Sequence, residues 1–471
     1  MKGSVWAVAA TCAALAVVAV PALGRDPGHA ARAKPSRVHT ALGPATTRKV
    51  NRMLREVDRR RVRRNIIKLA SFGTRHTLSS QDDPHRGVGA ARDWITSRFK
   101  YYAAASGGRM SVMQQSFITP PGPRVPQPTR VTNVVATLRG TQPQSAARTY
   151  VVSGHYDTRC TDVMNSTCDA PGADDDASGV AAVLEMARVM SKRRWDATIV
   201  FMAVAGEEQG LLGSTYFADQ AKRSNMDIEG MFTNDIVGSS HGQNGVRRPH
   251  TVRLFAQGPP FDETPQEAAD RRTTGSENDS PPRQLARYAK DAAESTATGM
   301  RVRIIYKRDR YLRGGDHIPF LDRRYPAARF TEVNEDYRHQ HQDVRVQDGV
   351  QYGDLPRFVD YGYTARVAKV NAATLAGLAS APATPKDVRV HTGQLSNDTD
   401  LEWSPNTEPD LAGYEIVYRD TVAPYWTHAI RVGRVTRKVV VGITKDNFMF
   451  GVRAVDRAGN RSPVAFPRPV S

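Results

Sequence analysis

The chain has 471 residues, 40% of them hydrophobic and 24% charged. Those values exclude wholesale disorder, and the length exceeds what one compact core organises, so two folded domains are expected. The formal charge of +18 is carried largely by arginine, yet the run Arg59-Arg60-Arg61-Val62-Arg63-Arg64 lies on a helical pattern and no nucleic-acid motif accompanies it. A solvated basic face, not a nucleic-acid site, is expected.

At the N-terminus, Lys2 precedes an apolar run over residues 5–23 that leaves through Ala22-Leu23-Gly24. This pattern predicts a secretory signal peptide over residues 1–24. No other span is long and apolar enough for a bilayer, so the mature chain is expected to be secreted (extracellular or periplasmic) without a transmembrane segment. Residues 25–47 are rich in Pro, Ala and Arg and read as a basic disordered arm. Cleavage of the leader removes Cys12 and leaves Cys160 and Cys168. Two closely spaced cysteines in an exported protein predict a disulfide.

Apolar residues at helical spacing (Val50, Met53, Leu54, Val57, Val62, Ile66, Leu69) predict one long helix over residues 49–70. A second helix is expected over residues 89–99 and strands over 131–138 and 149–152, the latter running into His155. Residues 178–190 read as a helix, and residues 198–205 as a strand apolar throughout, as in the middle of a parallel sheet. A helix over 211–222 and a strand over 230–237 follow. After a further strand at 252–257 come a polar insertion, a helix at 284–298, strands at 302–306 and 327–331, and a closing helix over 356–378. This alternation predicts an α/β domain over residues 48–380, with a mixed, mainly parallel sheet flanked by helices. Residues 381–384 read as a linker. Short alternating runs over 385–471 predict a small all-β sandwich.

Acidic and imidazole side chains gather where the predicted strands end. His155 and Asp157 leave one strand, Asp174-Asp175-Asp176 open a helix, Glu207-Glu208 leave the apolar strand, and Asp235 leaves the next. Taken singly, each is compatible with a capped helix or a solvated turn. Together they gather oxygen and imidazole ligands at one rim of an α/β sheet, which is what a hydrolytic divalent-metal site needs. Asp157 is placed to fix the tautomer and ring orientation of His155.

The ordered set His155-Tyr156-Asp157, GADDDASG (residues 172–179), AGEEQGLLGS (residues 205–214) and TNDIVG (residues 233–238) resembles the co-catalytic zinc aminopeptidases of peptidase family M28. The resemblance implies two Zn2+ ions per chain, held by His155, the bridging Asp175, Glu208, Asp235 and a late histidine, with Glu207 as general base. For that last ligand His339 is preferred over His341, because only His339 has the His-x-x-x-Asp spacing, to Asp343. Many relatives carry a tyrosine before this ligand, and Arg338 stands there. Gly315-Asp316-His317 resembles a segment that lines the family's substrate pocket. The reaction implied is release of N-terminal amino acids from peptides with a free N-terminus, by attack of a metal-bridging hydroxide. Glutaminyl cyclase and carboxypeptidase activities, or a non-catalytic binding role, occur on related scaffolds and remain alternatives.

Leu401-Glu402-Trp403-Ser404-Pro405 and the segment 452–462 resemble a fibronectin type III domain, which implies surface or polymer attachment, or spacing. Phe448 stands where that family has its corner tyrosine. Gly238-Ser239-Ser240-His241-Gly242 matches the Gly-x-Ser-x-Gly pattern of serine hydrolases, but a nucleophile elbow needs a helix after it, and residues 243–249 read as loop.

Overall fold

The computed structural model describes residues 36–38 and 40–470; the expected signal peptide and residues 25–35 of the expected arm lie outside them. A short β1 (Ser36–Arg37) precedes the helices α1 (Pro44–Leu54), α2 (Arg59–Ala70) and α3 (Val88–Ala104). The long helix expected over residues 49–70 is therefore two helices, and Asp58 is the reason. Its carboxylate accepts the Arg60 amide at 2.8 Å and caps α2, while its own amide donates to Glu185 at 2.7 Å.

The α/β core follows as β2 (Met110–Thr119), β3 (Thr129–Leu138), β4 (Thr149–His155), α4 (Ala177–Met190), β5 (Thr198–Val204), α5 (Leu212–Arg223) and β6 (Ile228–Asn234). It continues through β7 (Thr251–Ala256), α6 (Pro265–Thr274), α7 (Pro281–Glu294), β8 (Arg301–Ile305), α8 (Ile318–Leu321) and β9 (Ala327–Thr331). A hairpin of β10 (Arg345–Gln347) and β11 (Val350–Tyr352) leads to α9 (Tyr361–Ser380).

Eight strands form one sheet in the order β2-β3-β5-β4-β6-β9-β7-β8. The central strands β5, β4, β6 and β9 run parallel, whereas β3 lies antiparallel to β5 and β7 antiparallel to β9. The sheet is mixed and mainly parallel, as expected. Every residue of β4 and β5 is buried, which is why these strands read as unbroken apolar runs. Every residue of α4 except Arg188 is buried as well. Parallel strands finish at the same edge, so the residues leaving β4, β5 and β6 emerge side by side.

Beyond α9, the strands β12 (Arg389–His391), β13 (Thr399–Glu402), β14 (Leu411–Asp420), β15 (His428–Gly433), β16 (Arg437–Val440), β17 (Phe448–Asp456) and β18 (Arg468–Val470) build two further sheets. Their orders are β1-β15-β14-β17 and β16-β13-β12-β18, around a core that includes Leu401, Trp403, Ile416 and Val452. Within the expected arm, the described residues from Ser36 on are built into the fold, with β1 in the first sheet. From Ser36 on, the segment pairs with β15 and then buries Ala41 and Leu42, while the Arg461 amide donates to the Ala41 carbonyl. The segment read as a linker is also held: the Ala381 carbonyl accepts from Arg148 at 2.7 Å, and the Ala383 amide donates to Glu408 at 2.6 Å. Buried Asp279 accepts from Arg287 at 2.8 Å and from Arg419 of the C-terminal sheets at 2.7 Å. The described residues, 36–38 and 40–470, pack as one compact unit.

Glu415 on β14 yields a pH-dependent prediction. It is fully buried against Arg453 at 2.7 Å and Arg461 at 3.0 Å. Burial pushes its carboxyl up, but the two guanidinium groups outweigh burial and hold it at about 2, below the ordinary 4.5. A depressed carboxyl stabilises the fold above its unfolded pKa and loses that contribution as pH falls from about 4.5 toward 2. Glu415→Gln is expected to cost on the order of 3 kcal/mol at pH 7 and little at pH 2. Chemical denaturation at the two pH values checks this, and an equal loss at both would contradict it.

Candidate metal centre

The centre is assembled from turns that follow buried strands, and a few carboxylates set those turns. His155 ends β4 with its Nδ1 at 3.1 Å from the backbone oxygen of Asp157. A carbonyl only accepts, so Nδ1 carries the proton and Nε2 is free to face the cluster. The Asp157 carboxylate lies farther from the ring, at 3.6 Å. It accepts the amides of Glu207 and Glu208 at 3.2 and 3.1 Å and the Thr77 hydroxyl at 3.1 Å. Asp157 therefore ties the turn after β4 to the turn after β5.

The three aspartates before α4 divide the work. Asp176 caps the helix, accepting the Gly179 amide at 2.9 Å, and also accepts the His155 amide at 3.0 Å. Asp174 accepts the Gly238 amide at 2.6 Å and shares a hydrogen bond with Glu332. Burial pushes Asp174 up to about 7. Asp175 points inward. Its Oδ1 stands 3.0 Å from His155 Nε2, and its Oδ2 stands 3.0 Å from His341 Nε2.

Two ligand groups result. His155, Glu207 and Asp235 bring one donor atom each to within 4.8 Å of one another, and so do Asp175, Glu208 and His341. The sets touch through Asp175, and His155 Nε2 also lies 3.9 Å from Asp235. Glu208 Oε1 is 2.9 Å from His341 Nε2. Burial, opposed by His155 but joined by Asp235 and Glu208, pushes the Glu207 carboxyl well above its ordinary value. Bound cations would be the largest local charges and would hold such carboxylates ionised. Imidazole and carboxylate donors, converging and mostly buried, suit zinc.

His155, Asp175, Glu207, Glu208 and Asp235 thus come together as the sequence suggested, with Asp157 behind them. His339 does not. Its ring stacks on Phe358 at 3.6 Å between centroids, and its Nδ1 lies 3.6 Å from Asp336. His341 takes the position instead, from a backbone turned to φ 51°. Asp343, four residues beyond His339, exchanges hydrogen bonds with Thr161 at 3.2 and 3.1 Å. Cys160 and Cys168 form the expected disulfide, with 6.6 Å between Cα atoms.

Several supporting residues escaped the sequence reading. Asp354 accepts the amides of Asp174 and Asp175 at 2.8 and 2.7 Å and holds the acidic turn. Fully buried Arg75 donates to the carbonyls of Tyr156 at 2.6 Å, Pro171 at 2.6 Å and Gly172 at 2.9 Å, so it joins the first two motifs. Arg329 lies 2.7 Å from Asp235. A charged residue inside the apolar β9 was a legible signal, whereas nothing near Asp354 marked it. Asp316 is buried beside the cluster, and burial raises it to about 7. In the Gly-x-Ser-x-Gly stretch, the Ser240 hydroxyl donates at 2.7 Å to Asp360, the cap of α9, and an isolated bridge from His241 to Arg247 follows in place of a helix.

A profile described as peptidase family M28 matches residues 133–351. A probable zinc metalloprotease of Leptosphaeria maculans is 51% identical over 426 residues, covering 90% of this chain and 98% of that one. Another, of Pyrenophora tritici-repentis, is 49% identical over 438 residues, covering 92% and 90%. Among solved structures, the LapA aminopeptidase of Legionella pneumophila superposes with a TM-score of 0.50 at 18% identity, covering 73% of this chain and 78% of that one. That last likeness is one of fold alone.

Proposed function

The chain belongs to peptidase family M28 as a zinc metalloprotease, and from that premise we propose that it is a secreted dinuclear zinc aminopeptidase. One observation carries the reading: Asp175 stands 3.0 Å from an imidazole of each ligand set, one on either carboxylate oxygen. His155, Asp175 and Asp235 would hold one ion, and Asp175, Glu208 and His341 the other. When bound, zinc polarises the scissile carbonyl and lowers the pKa of water toward neutrality. Glu207, which lies with His155 and Asp235, accepts the proton of the attacking water and returns it to the leaving amine. Asp157 holds the Glu207 and Glu208 amides, so base and ligand keep their relative placement. The carboxylates in excess of those binding metal offer a seat for a substrate α-ammonium group.

Export is part of the proposal, and the Cys160–Cys168 disulfide supports it. The two C-terminal sheets, with Trp403 edge-on to Tyr414 at 5.3 Å, support a fibronectin type III-like module that spaces or attaches the enzyme.

The test is zinc content together with hydrolysis of leucine para-nitroanilide and its N-acetyl derivative. Two zinc ions per chain and cleavage of only the free-amine substrate are expected; equal cleavage of both would remove the aminopeptidase assignment. The histidines separate in the same assay. His341→Ala is expected to lose one zinc equivalent, and activity with it, whereas His339→Ala keeps both. The opposite pattern would restore His339 as the ligand.

A further inference from the structure

Between β8 and α8 the chain carries Lys307, Arg308, Asp309, Arg310 and Arg313 in one loop. This loop borders a cavity of about 510 Å³ whose walls include Phe261, Arg308, Asp309, Arg310, Arg313 and Asp322. Three arginines around one cavity need counter-charges, and two of them have partners. Arg308 pairs with Asp322 at 2.6 Å and lies over the Phe261 ring at 4.4 Å. Arg310 pairs with Glu335 at 2.6 Å and with Asp309 at 3.3 Å. Asp309 is further engaged by Arg329 at 3.0 Å.

Arg313 is left over. Its side chain is only 26% exposed, and its one ion pair among the described residues is a loose approach to Asp175 Oδ2 at 3.9 Å. No hydrogen bond joins its guanidinium to any described residue. Asp175, Asp235 and Glu335 attract the Arg313 charge from a distance, but Asp175 faces His155 and His341 at 3.0 Å, and no carboxylate among the described residues forms a close pair with the guanidinium. Its donors stand at the wall of the cavity without an acceptor among the described residues, free to take one from a molecule that enters. The planar fork of arginine matches a carboxylate through two parallel hydrogen bonds.

We propose that Arg313, at the junction of this cavity and the metal centre, anchors a carboxylate of the substrate and makes the enzyme select negatively charged peptides. The inference rests on the aminopeptidase reading and adds the substrate class. Because Arg313 comes within 3.9 Å of Asp175, the carboxylate belongs to a residue flanking the scissile bond. Two sources share that chemistry: an acidic side chain on the N-terminal residue, and the free α-carboxylate of a dipeptide.

The experiment uses the zinc-loaded full chain and two isosteric pairs. Glutamate against glutamine para-nitroanilide probes the side chain, and Leu-Ala against Leu-Ala-amide probes the α-carboxylate. The charged member of one pair is expected to be preferred about 10–100-fold in kcat/KM, mainly through KM, and the pair that shows this identifies the source. Arg313→Ala should bring that ratio close to one, and Arg313→Lys should keep part of it, with zinc content unchanged in both. Calorimetric titration with L-glutamate against L-glutamine, and L-alanine against L-alaninamide, reads the same contrast without turnover. No charge preference in either pair, or a preference indifferent to Arg313→Ala, would overturn the proposal. If no peptide is cleaved while carboxylate binding still depends on Arg313, the aminopeptidase reading fails and the anchor stands.

Discussion

Asp175→Ala is expected to empty both metal positions together and to abolish hydrolysis. The other candidate ligands belong to one set each, whereas Asp175 reaches His155 with one oxygen and His341 with the other, at 3.0 Å in both cases. The turn itself should survive the change. It is fixed by the Asp174 and Asp175 amides donating to Asp354 and by Asp176 capping α4, none of which uses the Asp175 side chain. Circular dichroism should therefore be unchanged while metal analysis falls from two zinc ions to none. A variant that still binds one zinc tightly would mean that the sets are independent and that Asp175 does not bridge.

Glu207→Gln is expected to lower turnover by about 10²–10⁴-fold with zinc retained, since the amide keeps the shape but accepts no proton. The structure makes this test sharp. Glu207 and Glu208 are adjacent and both amides bind Asp157, yet Glu207 falls with His155 and Asp235 while Glu208 falls with Asp175 and His341. Glu208→Ala is expected to lose one zinc first, with partial recovery in excess zinc. If Glu207→Gln loses zinc while Glu208→Ala keeps its full complement, the two roles are exchanged.

The sheet and most of the centre were legible because both depend on local pattern. The strands buried on both faces must be apolar throughout, and the acidic turns directly follow them, so β4, β5, β6 and their ligands could be read in order. The outer β2 was missed, since its largely exposed face leaves no strong apolar alternation. The break at Asp58 was missed because the apolar spacing runs on across it, and the capping bond that divides the helices is a tertiary choice. The identity of the late histidine depended on which way one backbone turn faces. Both candidates have an aspartate nearby, but His339 packs on Phe358 while His341 reaches Asp175 and Glu208. Arg75 and Asp354 act from far along the chain on backbone groups, and side-chain chemistry at the motifs carries no trace of such partners.

The small covalent ring at Cys160 and Cys168 has a consequence for the assembly of the centre. Thr161, beside the ring's first sulfur, exchanges two hydrogen bonds with Asp343, two residues beyond His341. The turn that presents His341 is therefore moored to a segment whose freedom the crosslink already curtails. With the crosslink in place, the late histidine would meet an ion with much of its search already completed. A chain kept reduced would retain every ligand and still have to organise that turn at the moment of binding, so its grip on the second ion would be weaker and slower to form.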